Sequence, residues 1–498
     1  MTTKRVHRLW AAAIATSLLA QACWTAPSAD PNGTDSVQLR GEHTTEAPSV
    51  RIAVDARIEL ISLIFRLAGN PEYTQGRVAS YSADVEKQFG EFGNHPVVTL
   101  ARQLRASRGV SYDACMSMAV HLADADELKL RLPLAPWPEA LDRRWSVEGV
   151  SGFLAAARQF MAASSFRRFF DQHRSLYATT ESRLRKLIEQ EAHLEWFREY
   201  FGERPQAAFI VVPALLNGGA CYGPRFRGAA AQEELYCILG VWKTDAQGLP
   251  EFARDMLSTI VHEFCHSYAN AIIDRHEPEL RAAGEKLYRN VATRMQSQAY
   301  GNAQTMLRES LVRACVVRYL HRYDGAGTAR KAIQEEKRRG FMMIEGLSDL
   351  LGQYEEQRDR YPTLESFAPR LVSFCNRFAE KEVQVQGDLA ARRPKVVSMT
   401  PANGATDVDP AQGSITVTFD RPMRDRSWSL VGGGPHCPET TGRPAYDGTR
   451  TTWTVPVKLK PGWDYEFWLN SESYDAFRSA EGVPLEPVHV EFKTGKNK

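Results

Sequence analysis

The chain is organised around the stretch Met256-Leu257-Ser258-Thr259-Ile260-Val261-His262-Glu263-Phe264-Cys265-His266-Ser267-Tyr268-Ala269-Asn270. This stretch contains neither Pro nor Gly and is rich in apolar residues, which predicts a buried helix. His262 and His266 lie on the same face of such a helix, one turn apart. Two imidazoles placed in this way can bind one Zn²⁺ ion from the same side.

Glu263 follows the first of these histidines directly. A carboxylate next to a zinc ligand can take a proton from a zinc-bound water, so Glu263 is the candidate general base. The residue types and their spacing therefore predict hydrolysis. The simpler interpretation is a core helix with two hydrogen-bonded histidines and a glutamate at its surface.

A catalytic zinc site needs a third protein ligand and leaves its fourth position to water. Glu309 is the best candidate, because it follows His266 by 43 residues on a second apolar helical stretch. An antiparallel pair of helices would bring its carboxylate to the metal. Arg313 could orient Glu309 or simply form an intrahelical ion pair with it. Glu277 and Glu279 remain alternative ligands, since they lie closer to the histidines in sequence.

The composition is that of an ordinary globular protein with several domains. The chain has 498 residues, of which 43% are hydrophobic and 24% charged, and a length of this kind predicts two or three domains. The formal net charge is +2, and three basic residues near the start supply more than that excess. The remainder carries no basic surplus, so the sequence gives no support to nucleic-acid binding.

The N-terminus has the pattern of an export signal. A basic head is followed by a short apolar stretch over residues 9–20 and by the small-x-small triplet Ala20-Gln21-Ala22. We therefore predict a signal peptide at 1–22. Cys23 directly after the cut could carry a lipid anchor, and both a cell-envelope lipoprotein and a secreted bacterial protein remain open. Residues 23–48 have little to bury and predict a flexible tether.

Eight cysteines are present in the chain. An exported protein can form disulfides, and Cys221 with Cys237 is the favoured pair because the two flank a loop. Cys265 is interpreted as a small core residue on the zinc helix.

The order of predicted elements divides the chain into a helical part and a β-rich part. Asp55 is expected to cap a first helix. Strands are predicted at 49–54, 207–213 and 235–242. Strict alternation of apolar and polar residues, as in Ile415-Thr416-Val417-Thr418-Phe419, predicts a small antiparallel β-sandwich near the C-terminus. The remaining predicted helices cover residues 97–107, 112–128, 150–170, 181–201, 285–296, 303–321, 329–354 and 364–381.

The motif His262-Glu263-Phe264-Cys265-His266, with Glu309 downstream, resembles the gluzincin metallopeptidases. Residues 54–60, 217–219 and 309–314 also resemble an uncharacterised bacterial zincin-like family of exported proteins, over roughly residues 50–385. This resemblance implies an α+β zincin-like catalytic domain, mostly helical with a small mixed sheet, which we assign to 49–390. It also implies an antiparallel edge strand that pairs with extended peptide substrate. Residues 215–222 are the candidate strand, with a glycine-rich turn as the alternative.

The C-terminal part resembles bacterial Ig-like domains. The resemblance rests on Thr400-Pro401-Ala402-Asn403-Gly404-Ala405, on residues 415–423 and on Leu459-Lys460-Pro461-Gly462. It implies an all-β Ig-like sandwich, which we assign to 394–495. Such domains serve as spacers or as binding modules.

The leading hypothesis is an exported zinc-dependent peptidase that acts on peptide or protein substrates. His262, His266 and Glu309 would hold the metal, and Glu263 would act as the base. The alternative is a catalytically silent binding or adhesion protein attached to the cell surface, and hydrolysis of a non-peptide amide is a third reading. Tyr222, Tyr268, Tyr319 and His276 are candidates for stabilising the transition state, and the sequence does not choose among them. It also leaves the oligomeric state open.

Overall fold

The computed structural model describes residues 50–204, 206–228, 232–471 and 473–496. The predicted signal peptide, Cys23 and the predicted tether lie outside the described residues. The chain divides into two compact units, with the boundary between Ala379 and Glu380. In the part of the chain that is described, no helix is long and apolar enough to cross a membrane.

The first unit is mainly helical, with a small mixed sheet. Its strands are β1 (Val50–Ile52), β2 (Ala207–Ala214), β3 (Arg225–Arg227), β4 (Glu233–Gly240), β5 (Lys243–Thr244) and β6 (Pro250–Glu251). Its helices up to the sheet are α1 (Ala56–Leu67), α2 (Ala79–Phe89), α3 (Pro96–Arg108), α4 (Asp113–Val120), α5 (Val147–Ser164), α6 (Phe166–Gln172), α7 (Arg174–Glu191) and α8 (Glu195–Phe201). Those after the sheet are α9 (Leu257–Arg275), α10 (Glu277–Gln296), α11 (Ala303–Arg338), α12 (Ile344–Glu356) and α13 (Leu364–Arg392), the last of which crosses the boundary between the units.

The sheet has the strand order β1-β2-β4-β3. The first three strands are parallel and β3 runs antiparallel to β4 at the edge. Side chains alternate across β2: Phe209 and Val211 belong to the core that contains α9 and α11, whereas Ile210 and Val212 belong to the core that contains α1, α3, α4 and α5. Helices therefore cover both faces of the sheet, and α9 lies in the layer beneath one face.

The predicted helices are present, but several of them begin or end at residues other than those predicted. Asp55 caps α1 as expected, since its side chain accepts a hydrogen bond from the backbone N–H of Arg57. The predicted helix 150–170 is broken at Ser165, whose φ is +56°. The predicted helix 181–201 is likewise two helices, α7 and α8. Helix α11 contains a sharp bend at Gly325, where φ is 80° and ψ is 165°.

The predicted disulfide between Cys221 and Cys237 is wrong, since both cysteines are free thiols. Tyr222 lies opposite Ile238 in an antiparallel bridge. This register makes Cys221 a diagonal neighbour of Cys237, and diagonal neighbours are about 7–8 Å apart between backbones. A disulfide needs Cβ atoms about 4 Å apart. Cys265, in contrast, is buried in the core as predicted.

The second unit is a β-sandwich whose strands are β7 (Val396–Thr400), β8 (Ser414–Phe419), β9 (Leu430–Val431), β10 (Glu439–Thr440), β11 (Ala445–Tyr446), β12 (Thr452–Lys458), β13 (Asp464–Leu469) and β14 (Val488–Lys493). One sheet has the order β10-β12-β8-β7, with β11 also paired to β12, and the other has the order β14-β13-β9. Their inward side chains, among them Val417, Trp453, Phe467 and Val490, form one core. The alternation predicted for these strands is confirmed.

Candidate metal centre

Helix α9 presents His262 and His266 on one face. Their Nε2 atoms are 3.2 Å apart, and the two rings meet edge to face. The apolar residues of the same helix, such as Phe264 and Ile260, are fully buried beneath the sheet. The sequence folds this way because the apolar positions anchor the helix and leave the histidines on the side that faces helix α11.

Helix α11 runs antiparallel to α9 and carries Glu309 to these histidines. Arg308 pairs with Asp274 near one end of the helix pair, and Arg254 pairs with Asp324 near the other. Between these two ion pairs, one carboxylate oxygen of Glu309 lies 3.4 Å from His266 Nε2 and the other lies 3.6 Å from His262 Nε2. The three residues proposed as metal ligands from the sequence are therefore brought together.

The three groups lie close enough together to share one metal ion. In a zinc site with bonds of about 2.1 Å, any two ligand atoms lie about 3.4 Å apart. In this protein the two Nε2 atoms are 3.2 Å apart, and each of them faces a different oxygen of Glu309, at 3.4 and 3.6 Å. With one ligand atom taken from each residue, all three lie within 4.8 Å of one another. Two imidazoles and one carboxylate also form the donor set that is typical of catalytic zinc sites.

The protonation states of these groups suit a metal ligand set. Burial lowers the pKa of His262 to about 3, so this imidazole is neutral at physiological pH. Burial would by itself raise the pKa of Glu309, but the two histidines and the Arg313 guanidinium lower it to about 2. Neutral imidazole and ionised carboxylate are the forms that bind a metal ion.

Glu263 is buried beside the three groups. Burial, reinforced by the charge of Glu309, raises its pKa well above the ordinary value of a carboxyl group. Burial, reinforced by the charge of Glu263, raises the pKa of the Cys221 and Cys237 thiols. None of the residues that the structure describes donates a hydrogen bond to it. The raised pKa makes the Glu263 carboxylate a stronger base than an ordinary glutamate, as the role of general base requires.

Second-layer contacts orient two of the three groups. The side-chain oxygen of Asn270 lies 3.3 Å from Nδ1 of His266, which leaves Nε2 of that ring unprotonated toward Glu309. Arg313 donates from Nε to Glu309 across 3.2 Å, a contact that both sequence interpretations of Arg313 expected. The Tyr300 hydroxyl, which accepts a hydrogen bond from Arg313 Nη2 across 2.8 Å, also helps to lower the pKa of Glu309. Asn270 follows His266 by one helical turn, so this signal was visible in the sequence; Tyr300 gave none.

The alternative ligands have other partners. Glu277 pairs with Arg281, and Glu279 faces His276 across 3.5 Å. Neither belongs to the metal-ligand cluster, which comprises His262, His266 and Glu309 among the described residues.

The four candidates for stabilising the transition state differ in the groups that surround them. Tyr268 stacks on Phe201 beneath the Arg204 guanidinium. The Tyr319 hydroxyl accepts a hydrogen bond from the backbone N–H of His193, and His276 follows the last residue of α9. The Tyr222 hydroxyl is buried and has no hydrogen-bond partner among the described residues.

Of the predicted edge strand 215–222, Tyr222 alone pairs at the antiparallel edge of the sheet. Residues 215–219 form a turn, and the edge is made by the Tyr222–Ile238 bridge and by β3. At Gly223 this edge touches the metal helix, because a Cβ atom there would lie 2.1 Å from the backbone oxygen of Glu263. The edge therefore passes directly over the residue proposed as general base.

Fold and site together define a mainly helical unit with a candidate metal centre, followed by a β-rich unit. The chain belongs to the family described as "Domain of unknown function (DUF4932)", whose model matches residues 50–374. The model described as "Bacterial Ig-like domain" matches residues 390–494, so the predicted Ig-like domain is confirmed.

Two solved structures of a surface layer protein give weak similarity. "Structure of surface layer protein SbsC, domains 1-6" is 19% identical with a TM-score of 0.16 and covers 48% of this chain and 34% of its own. "Crystal structure of the S-layer protein rSbsC(31-844)" is 15% identical with a TM-score of 0.16 and covers 81% of this chain and 46% of its own. The similarity thus takes in less than half of either of these chains. No curated protein matches the sequence.

Proposed function

We propose that this protein is a zinc-dependent peptidase of the zincin type. The observation that carries the proposal is the cluster of His262, His266 and Glu309, whose ligand atoms, one from each residue, all lie within 4.8 Å of one another, close enough to share one zinc ion. The buried carboxylate of Glu263, which lacks a hydrogen-bond donor among the described residues, supports hydrolysis rather than a purely structural metal.

Each residue has a defined task in this proposal. A bound Zn²⁺ supplies Lewis acidity, which makes a water molecule acidic and polarises the scissile carbonyl group. Glu263 accepts the proton of the attacking water and donates it to the leaving amine. Asn270 fixes the tautomer of His266, and Arg313 holds Glu309 in place.

The sheet edge supports a peptide as the substrate. Among the described residues, strand β3 is the last strand of its sheet, and an edge strand can pair through its outer backbone groups with an extended chain. The contact of Gly223 with the Glu263 backbone places this edge directly above the metal helix. A peptide added to the edge would run past the candidate base and the metal ligands.

The cell surface or its exterior is the proposed location. The N-terminal pattern of residues 1–22 is that of an export signal, and Cys23 is suited to a lipid anchor. The bacterial Ig-like domain is consistent with an exported protein. In this arrangement the peptidase unit would act on peptides or proteins in the cell envelope or outside the cell.

The proposal is tested by metal analysis and peptide cleavage on the same preparations. We expect one zinc ion per chain, cleavage of a peptide library that stops with chelator, and loss of cleavage in Glu263→Gln with zinc content preserved. Glu309→Ala should lose zinc, whereas Glu279→Ala, a matched glutamate outside the ligand cluster, should keep it. Equal cleavage by wild type and Glu263→Gln would contradict the mechanism, and an undiminished zinc content in Glu309→Ala would exclude the ligand set.

The second candidate function is surface binding without catalysis. The bacterial Ig-like domain favours it, since residues 390–494 include none of the proposed metal ligands. Zinc-loaded protein that cleaves no peptide, yet holds a partner equally well with and without chelator, would support this alternative.

A further inference from the structure

Helix α11 returns on itself near its middle. At Gly325 the backbone has φ 80° and ψ 165°, which no α-helix accommodates. The bend brings Glu336 beside Arg313, although 23 residues separate them in sequence. Nη1 of Arg313 donates to both carboxylate oxygens of Glu336, at 2.9 and 2.8 Å.

Every side of the Arg313 guanidinium is in contact with another group. Nε donates to the metal-ligand candidate Glu309 across 3.2 Å, and Nη2 donates to the Tyr300 hydroxyl across 2.8 Å. The Phe341 ring lies against the guanidinium, with its centroid 4.5 Å from Cζ. The side chains of Arg313, Glu309 and Glu336 retain 11%, 8% and 15% of their exposure, so this arrangement is shielded from water.

The charges of this group bear on the metal site. Arg313 alone would neutralise Glu309 and make it a poorer ligand for a dication. Glu336 offsets the charge of Arg313, so that Glu309, Arg313 and Glu336 together carry one negative charge. Arg339 also approaches Glu336, at 3.4 Å, but its side chain is 32% exposed, so water screens its charge more strongly.

We infer that Glu336 is a positioning residue of the metal centre. It holds Arg313 in the orientation that fixes the Glu309 carboxylate. Its negative charge also offsets the positive charge of Arg313, so that Glu309 still presents negative charge to the metal. The inference rests on the proposed function, because it assumes that zinc is the ligand. Outer residues that orient zinc ligands typically change metal affinity by about 10–100-fold when they are removed.

A purely structural role of Glu336 would have different consequences when this residue is replaced. If Glu336 only joins the two arms of α11, its loss should lower the stability of the zinc-free protein and leave zinc affinity unchanged. Zinc affinity is therefore the readout that separates positioning from simple packing.

The test compares Glu336→Gln with Glu335→Gln in the full chain. Glu335 is the matched control, because it is the neighbouring glutamate and pairs with Arg338 and Arg339 rather than with Arg313. Zinc dissociation constants are measured by competition with a chromophoric chelator, and unfolding temperatures are measured on the zinc-free proteins. We expect zinc to bind Glu336→Gln about 10–100-fold more weakly than Glu335→Gln. Glu336→Asp, which retains the negative charge, should recover part of the lost zinc affinity. If Glu336→Gln does not fold, the zinc affinity of Glu336→Asp is compared with that of Glu335→Gln instead.

Two results would overturn the inference, and they can be told apart. A wild-type protein that binds zinc, together with Glu336 variants that match Glu335→Gln within twofold, would refute the positioning role alone. A wild-type protein that binds no zinc would refute the proposed function and this inference with it.

Discussion

Gly223→Ala is the sharpest test of how the sheet edge meets the metal helix. A Cβ atom at residue 223 would lie 2.1 Å from the backbone oxygen of Glu263, 2.9 Å from its carbonyl carbon and 3.1 Å from its Cα atom. Reaching even 3.0 Å from the oxygen requires strand edge and helix to separate by 0.9 Å at this point. Both partners are backbone, so no side-chain rotation can relieve the overlap.

The expected cost follows from this geometry. Overpacking in protein cores costs typically 1–3 kcal/mol when side chains can adjust, so a clash between two backbones should cost about 3 kcal/mol or more. For a unit of this size we expect the unfolding temperature to fall by roughly 5 °C or more. Because the separation moves Glu263 away from the edge, peptide cleavage should fall as well. The transition of the Ig-like unit should stay in place and provides an internal reference.

Gly219→Ala is the matched control in the same loop. A Cβ atom at residue 219 would meet no atom within 4 Å, and its φ is not positive. We expect its stability to lie within about 0.5 kcal/mol of wild type. Thermal and urea unfolding followed by circular dichroism measures both variants. If Gly223→Ala and Gly219→Ala unfolded alike and cleaved peptide alike, the close contact between the edge and the metal helix would be refuted.

Three further predictions concern buried polar groups. Burial raises the pKa of Glu59 to about 7, so the native state keeps a proton that the unfolded chain loses above pH 4.5, and stability falls as pH rises from 4.5 to 7. Wild type should lose about 3 kcal/mol more than Glu59→Gln over this range in urea unfolding, and parallel curves would contradict this. Asn270→Ala should weaken zinc binding about tenfold in chelator competition by releasing the Nδ1 atom of His266, and unchanged affinity would remove Asn270 from the site. Glu263→Gln should raise the unfolding temperature of the chelated protein at pH 8, because burial disfavours the charged carboxylate; a lower temperature would show that Glu263 has a partner in solution.

Long apolar runs made much of the first unit predictable. Strands β2 and β4 and helix α9 are buried on most sides, so their sequences are nearly continuous hydrophobic stretches that stand out from their surroundings. Helix α2 was missed, although Tyr81, Val85 and Phe89 follow one another at a spacing of four and are all buried. Its N-terminus carries no side-chain cap, which removed the usual signal for a helix start.

Backbone changes without a characteristic residue could not be predicted. Ser165 adopts a left-handed conformation that ends α5, and serine gives no sequence signal for it. The sheet edge was misplaced because its pairing is short and interrupted: a single bridge at Tyr222 is followed by Gly223 and Pro224 before β3 begins. Pro224 has no N–H to donate, so this edge lacks the regular alternation by which strands are recognised.

The ligands of the candidate site could be named from the sequence, whereas Glu336, which holds Arg313 against one of them, could not. The reason is that zinc binding restricts the ligand positions to a few residue types and restricts an orienting position much less. Only a few residue types bind zinc, and two histidines one turn apart already define a face, so few choices remained for the third ligand. A residue that orients a ligand through an arginine need only be acidic and nearby, and 60 residues of this chain are Asp or Glu. What selects Glu336 from among them is the bend at Gly325, because it turns a separation of 23 residues into a contact of 2.8 Å. The function of such a residue is therefore set by the path of the backbone and becomes visible only once that path is known.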